Sequence, residues 1–147
     1  MFACSIYLRL MMHKKKLNSS KFAKRLGSYS HGYQVDSGDS MLIFTTGQIA
    51  LDKNGQVLYP YDGEKQAEVV FNSLQNILKE SGSSLDDVVK ATIFLTDIND
   101  FAKISKIRNK YFEKSEPVST LVEVNKLVKE GCVIEIEVIA IKKQKDF

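Results

Sequence analysis

The run Cys132–Ile141 alternates so strictly that it constrains everything the rest of the chain can do. Side chains of a β-strand point to opposite faces with a period of two. Cys132, Ile134, Ile136, Val138 and Ala140 therefore share a wholly apolar face, suited to packing beneath helices. Val133, Glu135, Glu137, Ile139 and Ile141 share the other, which is too apolar to be simply solvated yet contains acids. In the preceding run, Val118, Thr120, Val122 and Val124 fall on one face and Ser119, Leu121 and Glu123 on the other. The pattern places Glu123, Glu135 and Glu137 on the sides away from the helices. Two explanations compete. In one, these are surface glutamates on a half-exposed sheet, the usual fate of Glu. In the other, a second subunit covers the face and one glutamate stays in a cleft to activate water. Apolar surroundings there would raise its pKa towards the range useful for acid–base work.

Helices to cover the apolar face lie upstream. Glu64–Ser81 carries Ala67, Val70, Phe71, Leu74, Ile77 and Leu78 at three- and four-residue steps, with Gly82 beyond the last turn. A second helix is expected at about Asp100–Phe112, capped by Asp97 or Asn99 and turning Phe101, Ile104, Ile107 and Tyr111 to one side. Short strands are expected at Tyr33–Val35 and Met41–Thr45 around the turn Asp36–Asp39, the second continued by Gly47–Leu51. Asn54-Gly55 is a two-residue hairpin signal. Val88–Thr96, Val118–Asn125 and Cys132–Ile141 complete the strands. This order predicts an α+β domain with two helices on one side of a sheet.

Charge is divided unevenly along the 147 residues. Arg9, Lys14, Lys15, Lys16, Lys21, Lys24 and Arg25 precede the first acid, so seven of the 21 basic groups sit in residues 1–26. The other fourteen face all 18 acids, and the body is net negative although the chain as a whole is +3. A phosphate-tracking surface needs clustered Lys and Arg on the folded domain, so nucleic acid is not expected as a partner. Residues 1–19 read as a basic leader, disordered or targeting, ahead of a domain over 20–143 and a tail over 144–147. A cytoplasmic location is expected, with a mitochondrial or other organelle the alternative the leader leaves open. Two cysteines, Cys4 and Cys132, do not make a disulfide framework, and His13 and His31 are too few for a Cys/His metal site. No apolar stretch is long enough to span a bilayer as a helix.

Local sequences add a resemblance. Gly27-Ser28-Tyr29-Ser30-His31-Gly32 and Phe44-Thr45-Thr46-Gly47-Gln48-Ile49 resemble the opening motifs of the Rid family, the reactive intermediate deaminases, also labelled endoribonuclease L-PSP or translation inhibitors. Ser83–Lys90, Phe94–Phe101, Val122-Glu123-Val124 and Ile134–Ile141 are similar to its later signatures, in order and at matching spacing from about Ser20 to Lys142. The resemblance implies a chorismate-mutase-like fold, a mixed six-stranded sheet with two helices on one face, assembling as a homotrimer around a central barrel. It implies interfacial clefts that hydrolyse small enamine or imine metabolites to carbonyl compounds and ammonia, without metal or cofactor. In that reading Glu135 places the attacking water and the Tyr29 hydroxyl meets the substrate. Gly47 lets backbone approach the ligand, the Leu121 N–H binds the substrate carboxylate, and Phe94 lies at the same site.

One departure bears on the substrate. Deaminating members carry Arg where this chain has Ser119, in Pro117-Val118-Ser119-Thr120-Leu121. A serine supplies no planar two-point cation. Activity on 2-imino acids is therefore expected to be weakened. A non-catalytic ligand-sensing or protein-interaction trimer is the alternative, and an endoribonuclease stands behind it. His31, the residue such an activity would need, more often packs near a turn than acts as a base.

Overall fold

In the computed structural model, residues 13–144 are described. The strands are β1 (His13–Leu17), β2 (Gly32–Ser37), β3 (Ser40–Thr45), β4 (Val88–Leu95), β5 (Val118–Glu123) and β6 (Ile134–Lys143). Helix α1 (Gly63–Lys79) lies between β3 and β4, and α2 (Phe101–Tyr111) between β4 and β5. The six strands form one sheet in the order β1-β2-β3-β6-β4-β5. Every neighbouring pair is antiparallel except β4–β5, whose parallel pairing needs the crossover that α2 provides. The expected α+β class, mixed six-stranded sheet and two helices are what the described residues form.

The helices cover one face. Asp62 caps α1 by accepting the Lys65 N–H at 3.1 Å, and Glu64 and Lys79 complement its two ends. The apolar stripe of α1 is fully buried against Ile134, Ile136, Val138 and Ala140 of β6, Ala91, Ile93 and Leu95 of β4, and Ile43 of β3. Each such side chain contributes about 1.5–3 kcal/mol by leaving water. Tyr111 of α2 stacks on Phe71 of α1 at 4.6 Å and hydrogen-bonds Glu68, and burial followed by that carboxylate pushes its phenol up to about 12. Gln66, fully buried, donates its amide to the carbonyls of Leu58, Tyr59 and Gly131 and accepts the Val133 N–H. One side chain thereby fixes where β6 begins.

Several expectations shift. His13–Leu17, assigned to the leader, is the edge strand of the sheet, paired with β2 from His13↔Asp36 to Leu17↔Gly32. Its lysines concealed it, because a charged edge strand lacks the apolar pattern of an inner one. The rest of the leader reading falls on residues 1–12 and the end of the tail on 145–147, outside the described residues. Gln144 is tied to the β2–β3 turn through Asp39 and Asp36. β3 stops at Thr45, and Asn54-Gly55 closes only a Leu51–Val57 bridge, with the Asp52 carboxylate collecting the Asn54 and Gln56 N–H groups. β6 starts at Ile134 rather than Cys132, since Gly131 takes a φ of +88° and the Cys132 N–H closes a turn onto Lys129. Asp97 caps a short turn of 3-10 helix at Ile98–Asp100, which leads into α2.

The face of β5 is also inverted relative to expectation. Its register pairs Ser119 with Ala91, Leu121 with Ile93 and Glu123 with Leu95, all helix-side positions of β4. Glu123 therefore lies on the helix side and accepts the Ile98 N–H at 2.7 Å. Both faces of β5 carry apolar residues, so alternation alone does not say which turns inward.

Candidate active site

Beyond Thr45 the chain turns across β6 instead of continuing β3. The Gln48 N–H donates to the Ile136 carbonyl at 2.8 Å and the Ile136 N–H to the Gln48 carbonyl at 3.1 Å. That double bond sets Gly47 directly against Glu135. A Cβ on residue 47 would stand 1.9 Å from Glu135 Oε1, so only glycine leaves room for the carboxylate. No described residue hydrogen-bonds that carboxylate. Burial raises the Glu135 pKa above its ordinary value, and the charge of Glu137 raises it further.

The opposite wall is the loop before β2. The Tyr29 hydroxyl accepts the Leu26 N–H at 3.0 Å, which leaves its own proton to donate. Arg25 Nη1 donates to the Tyr29 carbonyl at 2.5 Å, and the Thr46 N–H to the His31 carbonyl at 2.9 Å, tying the loop to the Gly47 segment. His31 is buried, with Nε2 2.8 Å from the Ala23 carbonyl and Nδ1 3.2 Å from Asn18 Oδ1. Both ring nitrogens are occupied, so His31 holds the loop rather than serving as a base. Tyr29, Gly47, Gln48, Val128 and Glu135 line one cleft of about 210 Å³.

The structure thus brings Tyr29, Gly47 and Glu135 together. Phe94 is Glu135's partner across β4–β6, on the same open face of the sheet. Ser119 and Leu121 are elsewhere. Ser119 pairs with Ala91, three residues along β4 from Phe94 and on the opposite face, roughly 14 Å from Glu135 by strand spacing. It lines a separate recess with Arg108, Glu113 and Glu116. The Val124 N–H donates to the Leu95 carbonyl, so by parallel-ladder alternation the Leu121 N–H turns away from β4 to the open sheet edge. Sequence reasoning missed Arg25 and Lys16, which lie beside Tyr29 in a third recess. Their only signal was the surplus of basic residues over residues 1–26.

Fold and cleft define the class: an α+β domain whose sheet carries a half-buried acid and a tyrosine in one small cleft. The endoribonuclease L-PSP family model matches residues 21–142, and the chain belongs to that family, the Rid proteins. It is 38% identical over 131 residues to a RutC family protein of Pyrococcus abyssi, covering 89% of this chain and 99% of that one. It is 35% identical to the 2-iminobutanoate/2-iminopropanoate deaminase of Rattus norvegicus, covering 88% of this chain and 90% of that one. Among solved structures it is similar to E. coli TdcF with bound serine, with a TM-score of 0.75, 32% identity, and coverage of 88% of this chain and 99% of that one.

Proposed function

We propose that the Tyr29–Gly47–Glu135 cleft hydrolyses small enamines or imines to a carbonyl compound and ammonia. The observation that carries this reading is the Glu135 carboxylate, lodged against Gly47 in a small cleft with its pKa raised by burial. As carboxylate it accepts a proton from water while the water oxygen bonds to the imine carbon. As acid it then returns that proton to the nitrogen of the carbinolamine. The C–N bond breaks, ammonia leaves, and the hydroxyl proton passes to the Tyr29 oxygen, which gave its own proton to the imine nitrogen during attack, so the carbonyl forms and both groups return to their starting states. A raised pKa suits both halves, because the group must take and give a proton near neutral pH. Tyr29 donates its hydroxyl proton to the substrate heteroatom. Ser119 cannot clamp a carboxylate, so an anionic substrate would need its cation from another residue.

The same reading makes the protein a homotrimer. Phe44, Val122 and Ile141 of the face opposite the helices are each about 40% exposed, the stretch of surface a second copy would cover. A coupled ammonia-release assay on freshly generated imines tests the reaction. Glu135→Ala should reduce the rate by about 10²–10⁴-fold. Equal rates in variant and wild type would overturn it. Ligand-induced thermal stabilisation without turnover would instead support a sensor.

A further inference from the structure

Resting on the imine reading, we infer that Arg25 and Lys16 supply the anion-binding site that Ser119 lacks. The recess they share, about 580 Å³, also takes in Ser28, Tyr29, Ser30 and Tyr33. Among the described residues its lining holds two cations, several hydroxyls and no acid. Neither Arg25 nor Lys16 is ion-paired with a described residue. Tyr29 belongs to this recess and to the Glu135 cleft, so the two adjoin along one side chain, and the assignment puts the reacting carbon in one and the anion in the other. The bond from Arg25 Nη1 to the Tyr29 carbonyl holds the guanidinium beside that shared wall and leaves its other N–H groups to a carboxylate.

Two other cations compete: Lys24, a single charge in the Glu135 cleft that faces the Glu135 carboxylate there, and Arg108, which lies in the same recess as Ser119. There Glu113 and Glu116 outnumber it, and its Nε and Nη2 are spent on Asn109 Oδ1 at 3.3 and 3.1 Å. An anion entering that recess meets net negative charge; entering the Arg25 recess it meets two positive ones. Two cations without an acid beside them, against one cation with an acid in each of the other two recesses, select Arg25 and Lys16.

The test is equilibrium binding of 2-oxobutanoate, a keto acid of the product type, measured by calorimetry on the full chain, with the uncharged ketone butanone alongside. Arg25→Gln keeps a donor for the Tyr29 carbonyl while removing charge, and Lys16→Gln lies on an exposed edge, so both variants should melt as wild type does. The double variant should bind the keto acid about tenfold to a hundredfold more weakly, with butanone unchanged. Wild-type affinity should fall as salt rises, and Arg108→Gln should leave it unaltered. Unchanged affinity in the double variant, loss of affinity in Arg108→Gln, or no keto-acid binding by wild type would each overturn the assignment. Binding is independent of turnover, so an intact anion site in a protein that releases no ammonia would sink the deaminase reading alone.

Discussion

The two faces of β6 are built from the same backbone and do different work. Ile134, Ile136, Val138 and Ala140 lie beneath the helices and are almost wholly removed from water. Glu135, Glu137, Ile139 and Ile141, one residue out of phase, face away from them, and Ile141 is 43% exposed. On the first face every contact is made within the chain, and its worth is stability. On the second the contacts are incomplete, and under the proposed function these positions supply the reacting group and the surface for another copy. A strand that needs one face to be rigid can hold a strained or reactive group on the other at no cost in precision, because its register is already fixed.

Adjacent substitutions should separate the two roles. Glu135→Gln should lower ammonia release by about 10²–10⁴-fold while leaving urea unfolding cooperative. Ile136→Ala should cost about 2–5 kcal/mol of stability, read from the urea midpoint, with near-normal turnover per folded molecule. If Ile136→Ala abolished turnover in fully folded protein, or Glu135→Gln unfolded it, the division between faces would be wrong. Gly47→Ala probes the contact between the faces' owners: the new Cβ must displace the Glu135 carboxylate, a flexible end, so the rate should fall by about 10²-fold with little change in melting temperature. Ile141→Ser should leave the protomer folded but weaken its assembly by about tenfold to a hundredfold, measured by sedimentation equilibrium.

The smallest effect is a pH dependence. Burial raises the folded-state pKa of Glu135 above that of an ordinary carboxyl, the value it has in the unfolded chain, so between those two pKa values the folded chain holds a proton that the unfolded chain has lost. Wild-type stability should fall through that window as pH rises. The melting temperature of Glu135→Gln should match wild type at acid pH and exceed it above the window. A gap that narrowed with rising pH would show that the carboxylate is not penalised by burial.

Much of the fold was legible because period and composition coincide. The α1 stripe and the β6 alternation each bury what they appear to bury. β1 was not legible, since Lys14–Lys16 read as a solvated tail until β2 is present to pair with them. The side of Glu123 was not legible either, because a parallel neighbour sets β5's register and its own pattern is apolar on both sides. At the site, Glu135, Tyr29 and Gly47 were found through motifs. The Arg25–Lys16 recess depends on a strand and a loop meeting, and no spacing in the sequence announces it.

The strand order has a kinetic consequence. β6 is last in the chain yet sits between β3 and β4, joining Ile43 to Ala140 and Ile93 to Ile136. Until it arrives, the N-terminal three strands and the β4–β5 pair have no backbone ladder between them, and closure must bring together segments from nearly opposite ends of the chain. During synthesis the sheet therefore cannot complete until the final strand has left the ribosome. Glu135 rides on that strand, so its carboxylate meets Gly47 only in the event that completes the sheet.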